Sequence, residues 1–137
     1  MIIDRQLQVS NEQAVTSTAA STDVVDFGQT NPNTGMSDHL DLSITVDETV
    51  TAAGAATVTF SIQDSADNSS FADIAVTAAI GKASLPIGAQ VVIPMPKLHR
   101  RYVRVNYTVA TGPLTAGKFS AQFVTGLQLN TPTPGQL

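Results

Sequence analysis

Cysteine and tryptophan are absent from this chain, and histidine occurs only at positions 39 and 99. Without cysteine there are no disulfides and no thiolate metal sites, and the redox compartment is left open. With two histidines, a base oriented by a third group is hard to assemble, and no GxSxG elbow marks any of the serines as a nucleophile. No run approaches the roughly 20 apolar residues of a membrane span. The opening "MIIDRQ" reaches a charge at Asp4 before any stretch long enough for a signal peptide forms, so synthesis in a cytoplasm is expected. "TAGK" at 115–118 lacks the glycine spacing of a phosphate loop. Charge is also scarce: 13% of the 137 residues are Asp, Glu, Lys or Arg, about half the usual share. Threonine, serine, alanine and glutamine take the polar positions, a surface suited to being covered by neighbours.

What the chain does have is a period of two. In "HLDLSITVD" Leu40, Leu42, Ile44 and Val46 point one way, and Asp41, Ser43, Thr45 and Asp47 the other. "ATVTFSIQD" alternates Val58, Phe60 and Ile62 with Thr57, Thr59, Ser61 and Gln63. "RYVRVNYTV" places Val103, Val105, Tyr107 and Val109 opposite Tyr102, Arg104, Asn106 and Thr108, and "GKFSAQF" repeats the scheme with Phe119, Ala121 and Phe123. One buried and one exposed face is the pattern of antiparallel strands. Weaker strands are expected in "IIDRQLQV", "TDVVDF", "FADIAVTAA" and "AQVVIPM", separated by the breaker clusters "GQTNPNTG", "TAAGA", "DSADNSS", "PMP" and "ATGPLTAG". About eight short strands without a convincing helix predict an all-β, antiparallel sandwich or barrel. The expected organisation is a single domain over 1–129, with an N-terminal arm or strand near 1–9, and a polar, proline-containing tail at 130–137.

Two small clusters point to turns rather than chemistry. His39 beside Asp38 and Asp41 has one imidazole and no second group of ligands, so it reads as a polar strand entrance and not a metal site. "DSADNSS" lacks the alternate ligands and distal Glu of a calcium loop. Asp64 and Asn68 are expected there to make the side-chain bonds that reverse the chain. No catalytic residue, cofactor or metal ligand is predicted.

The segment "KLHRRYVRVNY" stands apart. The chain carries seven Lys and Arg against eleven Asp and Glu, a net charge of −4. Yet Lys97, Arg100, Arg101 and Arg104 fall within eight residues, leading into a strand. Arginines on an exposed strand face can merely discourage edge pairing and cover apolar surface. They can also receive the carboxylates of a partner. Nucleic acid is a poor fit, because the chain is acidic and Tyr102 is the only aromatic on the arginine face. Lys97, Arg100, Arg101, Tyr102 and Arg104 are therefore the candidate partner-contact residues.

Taken in order, "MIIDRQLQVSNEQAVTSTAASTDVVDFG", "HLDLSITVD", "TVTFSIQDSADNSSFADIA" and "RRYVRVNYTVATGPLTAGKFSAQFVTG" resemble the cement, or capsid-decoration, proteins of short-tailed bacteriophages of the Bordetella phage type. That resemblance covers nearly the whole chain and implies a jelly-roll-like β-sandwich. It also implies a homo-oligomer, dimer or trimer, bound to the major capsid protein on the outer surface of the virion and assembled in a bacterial cytoplasm, with no catalytic residues, membrane or direct nucleic-acid contact. A second reading is a carbohydrate-binding module, since "SIQDSADNSSFADI" followed by "RRYVRV" is also similar to discoidin-like domains. Here the glycine after the aspartate is missing and no tryptophan is present.

Overall fold

The computed structural model describes residues 3–30, 32 and 40–125. His39 and the predicted tail at 130–137 lie outside the described residues. After a short 3-10 turn at Arg5–Leu7, ten strands follow: β1 (Gln8–Ala14), β2 (Ala19–Ala20), β3 (Val25–Asp26), β4 (Asp41–Thr51), β5 (Thr57–Ser65), β6 (Ala72–Val76), β7 (Ile80–Gly81), β8 (Gln90–Pro94), β9 (Tyr102–Ala110) and β10 (Ala116–Val124). All pairings are antiparallel.

One sheet runs β1-β10-β4-β8. The other runs β2-β9-β5-β6, with β3 also on β9 and β7 also on β5. Because β2 and β3 share one edge position and β6 and β7 share the other, ten strands fill eight places, four per sheet. Successive places alternate between the sheets except at β5 and β6, and the first strand lies beside the last. This winding is the double Greek key of a jelly roll. The fold class expected from the sequence is the one observed.

The inward residues of both sheets meet in one core. Val58, Phe60 and Ile62 of β5 and Val103, Val105 and Tyr107 of β9 face Leu42, Ile44 and Val46 of β4 and Phe119, Ala121 and Phe123 of β10, all buried. At its centre Phe60, Tyr107 and Phe119 lie with ring centroids 5.3–5.8 Å apart, a geometry that adds to the gain from their buried area. The Tyr107 hydroxyl donates to Ser10 Oγ at 2.8 Å, and Ser10 donates to Gln13 at 2.7 Å. A polar tie thus joins the sheets, and the buried phenol keeps a partner. Burial raises the Tyr107 hydroxyl well above its usual range, only partly offset by Ser10.

Three departures from the sequence reading have local causes. The first strand starts at Gln8, later than expected, and runs through "NEQ" with two register shifts and Glu12 at φ 48°. That bulge breaks the alternation on which the prediction depended. Ser43, expected on the exposed face, is fully buried between Gln122 of β10 and Val92 of β8. In the "DSADNSS" turn the bonding residue is Asp67, not Asp64. Asp67 Oδ1 accepts the Ser69 and Ser70 N–H groups at 3.0 Å each and the Ser65 hydroxyl at 2.8 Å, while Asn68 turns the chain at φ 60°. The backbone donors, with the Ser65 hydroxyl, hold the Asp67 carboxyl far below its usual range.

Candidate functional site: the basic segment before β9

Residues 95–101 connect β8 to β9 across the end of the sandwich. Two inward groups fix this loop. His99 is buried, its ring 4.6 Å from that of Phe27 and its Nδ1 donating to the Arg100 carbonyl at 2.8 Å. Arg100 reaches Asp64, the last inward residue of β5 and itself 5% exposed. The Asp64 carboxylate accepts the Arg100 backbone N–H at 2.9 Å, Nε at 3.0 Å and Nη2 at 2.8 Å, and Nη2 also donates to the Asp64 carbonyl at 2.9 Å. Burial alone would raise the Asp64 carboxyl. The Arg100 hydrogen bonds, with the charges of Arg100 and His99, outweigh it and hold Asp64 below its usual range.

Arg101 points to the other side of the loop. Its Nε and Nη2 grip the two carboxylate oxygens of Asp26 at 2.8 and 3.0 Å, a forked geometry that lysine cannot supply. Asp26 Oδ1 also accepts the Gly28 N–H at 2.8 Å. The hydrogen bond from Arg101 is the main cause, and that from Gly28 the next, of an Asp26 carboxyl below its usual range. The Arg101 guanidinium also lies 5.1 Å from the centroid of the Tyr102 ring.

Arg104 stands on the outer face of β9. Its Nε donates to Gln63 Oε1 at 2.9 Å, and Gln63 Nε2 donates to Asp73 at 2.9 Å, so a neutral amide links a cation to an anion across three strands. The guanidinium carbon sits 3.8 Å from the centre of the Phe71 ring, a favourable cation–π contact. Lys97 is exposed and has no intramolecular partner among the described residues.

The five residues singled out in the sequence form one strip of the chain, from the loop into β9, but their side chains divide by use. Arg100 and Arg101 are engaged by Asp64 and Asp26, Arg104 is half engaged, and Lys97 remains available. Asp64 and Asp26 were missed as partners. For Asp64 a signal existed: it continues the inward series Val58, Phe60, Ile62, and a carboxylate on a buried face requires a cation. No cluster of three metal-ligating side chains occurs among the described residues, and none of their helices is long and apolar enough to cross a membrane.

The fold and this strip define a class: a small jelly-roll sandwich whose unusual surface feature is a strip of arginines and aromatics. Residues 9–123, from the first strand to the last, match the family model Bbp16. The chain belongs to the Bbp16 family, a family of Bordetella-phage proteins. None of the curated proteins searched matches it.

Proposed function

We propose that this chain is a capsid-decoration, or cement, protein: a structural virion component that lies on the outer surface of a phage shell and braces neighbouring major capsid subunits, as a homo-oligomer. The observation that carries this reading is the family match across the entire sandwich, from Val9 to Phe123. A decoration role requires a rigid body with surface to contact its neighbours, and a jelly roll closed on one aromatic core fits that requirement. Low surface charge limits the desolvation needed when such a body is covered on several sides. The strip holding Lys97, Arg100, Arg101, Tyr102 and Arg104 is the proposed contact surface, where ordered charge sets register more than affinity.

A glycan-binding role has less support. Sugar rings stack on open aromatic faces, whereas Tyr102 and Phe71 each have a guanidinium over the ring.

Purified protein mixed with shells of its phage assembled without it tests the proposal by sedimentation and imaging. Saturable binding at symmetry-related positions, with shells that withstand more heating, is the expected result. Bare shells in the presence of folded protein would overturn it.

A further inference from the structure

Among the described residues, Leu98 is the most exposed of the large hydrophobic side chains, at 72%. A lone surface leucine is common and decides nothing by itself. Three features of its setting do. First, the loop is held directly after it, with His99 buried against Phe27 and Arg100 fixed to Asp64 by four hydrogen bonds. Those ties hold the backbone beside Leu98 before any partner arrives, so less of its ordering is left to binding. Second, an open hollow of about 510 Å³ lies beside it, bounded by Asp64, Leu98, His99 and Arg100, with room for a partner's side chains around the leucine. Third, the preceding residue is Lys97, the cation of the strip with no intramolecular partner among the described residues.

We propose that Leu98 is a preformed anchor that seats in an apolar recess of a shell subunit, with Lys97 pairing a carboxylate at the rim of that recess. Arg100 and Asp64 are then positioning residues that hold the anchor out. This proposal rests on the reading of the chain as a capsid-decoration protein. Charge selects the occupant. A second copy of this chain offers another open hollow, about 350 Å³, with Val50, Ala52, Ala83 and Pro86 on its walls, but Lys82 lines it too and opposes Lys97. A recess with an acidic edge complements the loop, and this chain does not provide one there.

The test titrates shells of the phage, assembled without this chain, with the wild-type protein and with Leu98→Ser, Leu98→Met and Lys97→Glu. Bound protein is measured by sedimentation, and the melting temperature and self-association of each free variant are measured in parallel. Leu98→Ser is expected to weaken shell binding about tenfold or more, as loss of a central anchor does. Lys97→Glu weakens it too, and Leu98→Met, which keeps the apolar volume, stays close to wild type. All should melt like wild type, because both side chains are exposed. If the wild type binds and Leu98→Ser and Lys97→Glu bind equally well, the anchor is refuted and the decoration role stands. If Leu98→Ser loses only self-association, the occupant is a second copy and the proposal fails. If the wild type leaves the shells bare, both readings fall.

Discussion

Arg100 and Arg101 are consecutive in the chain, and each grips an aspartate through Nε and Nη2 at 2.8–3.0 Å. By distance alone the two pairs are equivalent. Their surroundings are not. The Asp64 side chain is 7% exposed against 39% for Arg100, while Asp26 and Arg101 are 44% and 41% exposed. A carboxylate largely enclosed by the end of the core depends on its arginine, because little of it is open to water. A carboxylate at the surface exchanges its arginine for solvent at little loss. Pairs of similar length thus serve two purposes: the first holds the 95–101 loop in place, and the second orients charge on the surface.

The largest effect expected is that of Arg100→Met, which removes the cation and leaves Asp64 buried. The unpaired carboxylate should lower stability clearly, though less than in a fully buried pair because solvent reaches Arg100. Urea denaturation followed by circular dichroism reads this directly, and an unchanged midpoint would show that Asp64 is hydrated after all. Asp64→Asn should cost less, about 1–2 kcal/mol, because the freed guanidinium turns to water while the amide oxygen still accepts one donor. The order of these two variants follows from burial, and a reversed order would contradict it.

Acid acts on both pairs in the same direction. Folding lowers the Asp64, Asp67 and Asp26 carboxyls below the ordinary value of 3.8, so as pH falls the unfolded chain takes up protons first. The stabilisation is fully present above about pH 5, declines as pH drops through the ordinary carboxylate range and is gone only below the folded-state values. Unfolding measured from neutral pH to about pH 2 should show this decline, and it should be shallower in Asp64→Asn than in wild type. Identical acid limbs would mean that Asp64 titrates alike in the folded and unfolded chains.

The sequence displayed one half of each pair. Alternation placed Val58, Phe60 and Ile62 on one face of β5 and Val103, Val105 and Tyr107 on one face of β9, because a half-buried strand writes its orientation into every second residue. It could not display which strands meet. The edge contacts β1 with β10 and β2 with β9 join opposite ends of the chain, and two-residue strands such as β2 and β7 are too short to have a period. The cations of the strip were visible as a local cluster. The partners of Arg100 and Arg101 lie 36 residues away at Asp64 and 75 away at Asp26, so part of what looked like free positive charge in the sequence is neutralised in the fold. Leu98 was passed over for the converse reason: nothing local says that the histidine after it turns inward and leaves the leucine facing solvent.

The smallest effect belongs to the exposed pair. Asp26→Asn is the clean substitution, because the amide oxygen can still accept the Gly28 N–H that shapes the turn after β3, so only the charge is removed. Arg101→Gln removes the opposite charge and leaves the Phe27 N–H to the Arg101 carbonyl unchanged at 3.0 Å. Each variant should melt within the scatter of replicate wild-type samples, and raising the salt from about 0.01 M to about 1 M, which shortens the screening length about tenfold, should move wild type and variants alike. A clear loss of stability in Asp26→Asn, removed by salt, would mean that the surface pair also holds the loop. The contrast between the arginines would then be one of degree, and Arg101 would join Arg100 among the residues that position Leu98.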